Sequence, residues 1–310
     1  MRRQSHSALF NRPLFILNPV AGTSHPDKVR EAFKHACEQF GWQSEIHETQ
    51  MGDNLSQVIK TRLEGGCDLV IAGGGDGTVS EVASALVGSD TPMAVIPLGT
   101  GNLLARQLKI PHSLEHAFGY LGEQPDVKFL NVMGINDSCF ILNVSVGFSS
   151  AMIQETSREE KRRFGMLAYI WNGLRIFIGI QPYRFNLVVD DAPRSLRASE
   201  VYISDHALLI DDIFLKHLNI IKAQEGHVAV FVIKARTLWD YLLLIIDLIS
   251  GRGRRSKKMS VFSVGKMIEI STRNPLTVQA DGEVIGKTPV TIEIIKNAVR
   301  VLVPRAEVEG

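Results

Sequence analysis

The chain has 310 residues, 45% of them hydrophobic and 22% charged, with 34 basic against 33 acidic side chains. That length predicts two domains, since single cores stop growing at about 250–300 residues, and the balanced charge excludes the global field that draws a protein to nucleic acid. Cys37, Cys67 and Cys139 are odd in number and lack metal-ligand or redox spacing, which predicts reduced packing thiols and a cytoplasmic protein. The segment Met1–Arg12 has arginines but no apolar core of signal-peptide length, so secretion is not expected and the mature chain is expected to start near Met1.

From Leu14 to about Gly122 short apolar runs at 14–17, 44–48, 69–72 and 93–96 alternate with helical spacing. The helical pattern is clear in Val29, Phe33, Ala36, Cys37 and Phe40, and again in Leu55, Val58, Ile59 and Leu63. Strand alternating with helix predicts a parallel sheet covered by helices on both faces. After Pro125 the runs at 140–146, 185–189, 201–203, 218–221, 228–233, 261–264, 267–270 and 277–280 read as strands of an antiparallel sandwich. Met166–Ile180 reads as a helix. Leu238–Ile249 is the most apolar stretch, but it contains Asp240 and Asp247 and falls far short of the roughly 20 residues of a membrane span. Arg252, Arg254, Arg255, Lys257 and Lys258 follow it, readable either as a solvated loop or as contact with anionic head groups.

The densest chemical signal is Gly73–Val82, GGGDGTVSEV, between an apolar strand and an amphipathic helix. Gly73, Gly74, Gly75 and Gly77 let backbone amides approach phosphate oxygens, and the following helix adds the positive end of its dipole. Asp76 at that place needs a cation between itself and phosphate, and Mg²⁺ is the natural mediator. A dinucleotide fingerprint fails at Thr78, and a phosphate loop of the Lys-Ser/Thr type lacks its Lys. Pro97–Asn102, PLGTGN, forms a second strand-to-helix turn, and Asn18–Gly22, NPVAG, a third. Parallel strands present such turns at one edge, where ligands bind. Farther on, Asp281-Gly282-Glu283 places two carboxylates around a glycine, which suits acid–base work and equally suits a hairpin turn. Lys161, Arg162 and Arg163 form a basic cluster for which a solvated helix end is the commoner explanation, and the histidines show no metal-ligand spacing.

NPVAG, GGGDGT with Glu81 after it, PLGTGN, the segment Lys161–Tyr169 (KRRFGMLAY) and Asp281-Gly282-Glu283 together resemble the diacylglycerol kinase catalytic-domain family, in order and spacing over nearly the whole chain. The likeness is to its stand-alone bacterial lipid kinases, relatives of sphingosine and ceramide kinases. It implies an N-terminal doubly wound parallel α/β nucleotide-binding domain (residues 1–124, with a returning segment at 293–310 that brings Val299–Val303 back) and a C-terminal antiparallel β-sandwich domain (125–292) for the lipid substrate. By the same resemblance ATP contacts Asn18, Pro19, Val20, Ala21, Gly22, Thr49, Gly74, Gly75, Asp76, Gly77, Thr78, Val79, Ser80, Thr100 and Asn102, with Asp76 near Mg²⁺. Glu283 is the implied proton acceptor, with Asp281 second. A cytoplasmic protein in peripheral contact with the inner membrane face, and a homodimer, fit the family. Several acids of the pattern are missing: Leu103 and Asn131 stand where acids are usual, Ser149 replaces an Asp, and Leu215-Lys216-His217-Leu218-Asn219 has lost the acids of a structural Mg²⁺ segment. These losses imply low activity or an unusual acceptor, and leave a nucleotide- or lipid-binding protein as the second reading and an NAD kinase as the third.

Overall fold

The computed structural model describes residues 9–22, 25–148, 182–205, 226–250 and 256–305. Met166–Ile180, the strand at 218–221, Lys161–Tyr169, Ser149, Leu215–Asn219 and the arginines of the basic run lie outside the described residues. Two compact units emerge, Met1–Leu130 with Asn297–Gly310, and Asn131–Lys296.

Unit 1 is a parallel sheet. Its strands β1 (Pro13–Leu17), β2 (Glu45–Glu48), β3 (Leu69–Gly74) and β4 (Met93–Pro97) lie in the order β2-β1-β3-β4, and Val301, near the chain's end, pairs in parallel with Met93. Every residue of β1, β3 and β4 is buried, as expected of strands covered on both faces. Helix α1 (Pro26–Phe40) opens on Pro26, whose fixed φ suits a first turn, and ends at Gly41 with φ 72°. α2 (Leu55–Glu64) starts where the Asn54 side chain accepts from the Gln57 amide. α3 (Asp76–Ala85), α4 (Leu103–Gln107) and α5 (Leu114–Gly119) follow. α1 packs with α5 and α2 with α3. On the α1/α5 face, Phe15 meets Phe33 with ring centroids 4.6 Å apart and Phe118 edge-on at 5.7 Å.

Unit 2 is the expected antiparallel sandwich. One sheet has the order β12 (Met259–Val264), β11 (Val228–Ile233), β10 (Glu200–Ser204), β7 (Val144–Gly147), β14 (Thr277–Ala280), β15 (Glu283–Lys287). Facing it are β9 (Ala192–Ala198), β8 (Tyr183–Val189), β13 (Met267–Thr272) and the first half of β16 (Val290–Val303), with the end of β5 (Asp126–Ile135) and β6 (Ser138–Phe140). Inward residues of both sheets form one core that includes Val146, Phe185, Val201, Val230, Ile268 and Ile292. The run at 140–146 is not one strand: it breaks at residues 141–143, whose amides turn aside to a carboxylate described below. The closing strand is longer than Val299–Val303, and Asn297 interrupts its regular backbone with φ 49°.

Between β11 and β12 lies α6 (Leu238–Ile249), and no helix of the described residues is long and apolar enough to cross a membrane. Its start is a complete capping box: Thr237 Oγ1 accepts from the Asp240 amide at 3.2 Å and Asp240 accepts from the Thr237 amide at 3.2 Å. Lys258 pairs with the other Asp240 oxygen. All three cysteines are free and half-buried, and burial pushes the Cys37 and Cys67 thiols up.

The Lys258 hydrogen bond first, then the Arg236 amide, lower the Asp240 carboxyl to about 2. A carboxylate depressed in the folded state adds stability above its unfolded value, and that stability is lost as pH falls through the folded value. Asp240→Asn should therefore flatten the fall in melting temperature between about pH 4 and pH 2. Thr237→Ala should lower stability at neutral pH by about 1 kcal/mol in urea titrations.

Candidate functional site

The strand order of unit 1 reverses direction between β1 and β3, the place where open α/β sheets bind ligands beyond the carboxyl ends of their strands. The turns after β1, β3 and β4 are therefore brought together by topology, and their contacts are close. Asn18 N donates to Gly73 O at 2.8 Å, and Asn18 Nδ2 to Thr78 Oγ1 at 3.1 Å. Leu98 N donates to Gly74 O at 3.0 Å, and Thr49 N to Leu17 O at 2.9 Å at the end of β2. Asp76 Oδ1 accepts from Leu103 N at 2.6 Å, which ties the first turn of α3 to that of α4. Asn102 holds its own turn: Gly99 N donates to Oδ1 at 2.9 Å, and Nδ2 donates to Gly99 O at 2.7 Å.

Most glycines here answer to the protein itself. A Cβ on Gly22, at φ 59°, would sit 2.0 Å from Leu98 O, and one on Gly99 would sit 2.6 Å from Gly75 Cα. Gly73, Gly74 and Gly101 also meet protein atoms at 2.4, 2.5 and 2.7 Å, while a Cβ on Gly75 would make only an ordinary contact, 3.5 Å from Gly99 Cα. Gly77 differs: it is exposed, takes ordinary helical φ, and a Cβ there has open space among the described residues. It lies in the first turn of α3, where free amides and the helix dipole attract an anion. Around it, Val20, Gly22, Thr100 and Gly101 are exposed, while Thr78, Val79, Ser80 and Asn102 are buried and Asn18, Pro19, Ala21 and Thr49 half-buried.

The carboxylates predicted for acid–base work, Asp281 and Glu283, belong to unit 2. Asp281 and Gly282, at φ 46° and 89°, form a two-residue hairpin turn that pairs Ala280 with Glu283. Asp281 Oδ1 accepts from Leu142 N at 3.0 Å and Asn143 N at 2.9 Å, and Oδ2 from Ile141 N at 3.0 Å. Those bonds break the expected strand at 140–146. Glu283 stands exposed at the start of β15. Sequence reasoning missed Asp205. At 2% exposure at the end of β10, it accepts from Asn131 N at 3.0 Å and from Asn131 Nδ2 at 2.6 Å, so a carboxylate lies against the position that lacks its usual acid. The one signal for it was an acid closing an apolar run. Next to it in sequence, Ser204 Oγ donates to Leu142 O at 2.7 Å, which joins this pair to the Asp281 loop. Burial, then the charges of Glu200 and Asp281, push the Tyr202 phenol up, so it remains protonated.

Comparison with known proteins accounts for both units. The diacylglycerol kinase catalytic domain matches residues 12–132, and the YegS C-terminal NAD kinase beta sandwich-like domain matches residues 143–303. The chain belongs to the YegS-type diacylglycerol kinase family of lipid kinases. It is 32% identical over 182 residues to the lipid kinase YegS of Escherichia coli K12, covering 57% of this chain and 60% of that one. An uncharacterized protein of Synechocystis is 26% identical over 307 residues, covering 93% of this chain and 69% of its own length. In fold the chain is similar to a crystal structure described as a diacylglycerol kinase from Bacillus anthracis, with a TM-score of 0.67, 19% identity and coverage of 95% and 97% of the two chains.

Among the described residues no group of three or more His, Cys, Asp or Glu side chains could enclose a metal ion. Asp76 alone fits the small protein share that Mg²⁺ takes when nucleotide phosphates supply its other oxygens.

Asp281→Ala would strand three amides and should cost about 1–3 kcal/mol of stability. Glu283→Ala, at an exposed position, should stay within about 0.5 kcal/mol of the parent. Urea unfolding followed by circular dichroism reads both.

Proposed function

We propose that the protein transfers the γ-phosphoryl group of ATP, with Mg²⁺, to the hydroxyl of a lipid of the diacylglycerol type. The observation that carries this reading is Gly77, a glycine that the fold does not need, at the helix start where three turns meet. Family membership adds the kinase chemistry and the class of acceptor.

In this reading unit 1 holds the nucleotide. The amides of Gly75–Thr78 meet the phosphates, Asn18–Gly22, Thr49 and Thr100 border them, Val79 and Ser80 continue the helix behind, and Asn102 shapes the adjoining turn. Asp76 holds the Mg²⁺, which neutralises phosphate charge when bound. Unit 2 receives the lipid. The lipid hydroxyl oxygen bonds to the γ-phosphorus as the bond to the bridging oxygen breaks, ADP leaves, and the hydroxyl proton passes to Glu283. Asp281 is a positioning residue, since its oxygens already take three amides and fix the turn that presents Glu283. The same engagement of Asp281, with an amide at Asn131, favours a nucleotide- or lipid-binding protein as the second reading.

The test is γ-labelled ATP and Mg²⁺ with a panel of lipids in mixed micelles. Labelled lipid is expected for the parent, with loss of label on chelation of the metal and at least a ~100-fold fall in kcat for Glu283→Ala. Gly77→Ala should keep or slightly raise stability, because alanine is the better helix residue, while raising the KM for ATP about tenfold or more. If every lipid stays unlabelled while nucleotide still binds, the binding-protein reading replaces this one. Label on NAD would indicate the third.

A further inference from the structure

Helix α6 wears its apolar side outward. Trp239 is 73% exposed, Ile246 57% and Ile249 53%, and Leu242, Leu243 and Ile245 are exposed beside them. Leu244 is buried at 4%, and Tyr241, Leu248, Asp240 and Asp247 are partly covered. At 3.6 residues per turn, the six exposed large side chains fall on one arc of the helix, and both of its acids fall outside that arc. A surface helix of a water-soluble domain has the reverse polarity. Single exposed apolar residues need no explanation, whereas a contiguous patch of six marks a surface that something covers.

The helix is firmly held in this attitude. The capping box fixes its start, Tyr241 Oη donates to Ser199 Oγ at 2.9 Å, and the Tyr241 ring lies 5.8 Å from that of Phe148. Its charges are arranged to match one kind of partner. Asp240 is neutralised by Lys258, while Arg236, just before the cap, and Lys257, just before Lys258, are exposed cations. The result is an apolar face on a helix with a tryptophan in its first turn, an exposed cation, Arg236, just before its start, and a second, Lys257, beside the lysine that pairs with its first-turn acid.

We propose that α6 docks the protein on an anionic lipid surface, lying in the plane of the interface with Trp239, Leu242, Ile246 and Ile249 among the acyl chains. A helix of 12 residues is too short to span the bilayer but suits this in-plane position. Tryptophan prefers the head-group level, and Arg236 and Lys257 meet lipid phosphates there. The inference goes beyond the kinase reading and stands on the helix itself; it rests on that reading only for the reason a bilayer is at hand.

The experiment is sedimentation of the full chain with phosphatidylcholine vesicles, with and without phosphatidylglycerol. Three proteins are compared: the parent, the double variant Trp239→Ser/Ile246→Ser, and the double variant Arg236→Gln/Lys257→Gln. The parent should partition onto the anionic vesicles, more weakly at high salt. Removing the two apolar side chains should reduce partitioning about tenfold or more, and removing the two cations should reduce it for anionic vesicles alone. Melting temperatures should stay near the parent's, since all four positions are exposed. No partitioning of the parent, or equal partitioning of the apolar variant, overturns the proposal. So does a change from dimer to monomer in the apolar variant with vesicle binding unchanged, because a second copy then covers the face. Phosphorylation of a short-chain, water-soluble acceptor, assayed in parallel, separates the two readings: its absence in the parent removes the kinase reading, while vesicle partitioning still decides the role of α6.

Discussion

The approach of Gly99 to Gly75 is the constraint on which unit 1 depends. A side chain on Gly99 would put its Cβ 2.6 Å from Gly75 Cα, and one on Gly22 would collide with Leu98 O. The turns after β1, β3 and β4 meet because those atoms are missing, and their meeting lets Asp76 reach the Leu103 amide. Parallel pairing sets the heights: Leu17 pairs with Gly73, and Gly74 with Pro97, so the three strands end together. The glycines thus divide into those whose missing Cβ builds the platform, Gly22, Gly73, Gly74 and Gly99, and Gly77, which stands open on it. A loop that reads in sequence as one run of glycines is, in space, two different things.

How much could be read from the sequence follows the burial of each element. β1, β3 and β4 are covered on both faces and are continuous apolar runs, so they were legible, as was β11. β9, reading APRSLRA, is almost wholly exposed at the edge of its sheet, with Pro193 where an edge tolerates a missing donor, and it offered no apolar pattern. β5 begins with four exposed residues, Asp126–Phe129, before turning inward, and was missed for the same reason. The false continuity of 140–146 had another origin. Ile141 and Leu142 are as buried as strand residues, so composition was right about burial and silent about the amides bonding to a side chain 138 or more residues away.

The Asp281 turn has a twin that clarifies its role. Asp190 and Asp191, at φ 45° and 68°, make the two-residue turn from β8 to β9, and Asp190 accepts from the amides of Gly265, Lys266 and Met267. Burial acts upward on this carboxyl, yet the three amides together hold it below its ordinary value. An aspartate in the first position of a left-handed turn, clamping three successive amides, therefore occurs among the described residues once in each sheet of the sandwich. At Asp190 no chemistry is assigned, and the device fastens the turn before β13. The repetition gives the Asp281 clamp a sufficient structural cause, and it separates that residue from Glu283, which follows it in the hairpin without sharing the clamp.

The pairing of Asn131 with Asp205 obeys a related economy of charge. Two carboxylates facing each other in a buried site would offer acceptors to acceptors and leave both without donors. With an amide at Asn131, the Asp205 carboxylate instead receives two N–H donors from one residue, a backbone amide at 3.0 Å and the side chain at 2.6 Å. A buried acceptor needs such donors, because the water it has lost would have supplied them. The acid missing at position 131 and the acid present at position 205 are therefore physically linked: the second, at 2% exposure, finds its hydrogen-bond donors because the first is an amide. Counting carboxylates along the chain records a loss at Asn131, whereas counting them in space finds one carboxylate beside it, supplied by the neighbouring strand.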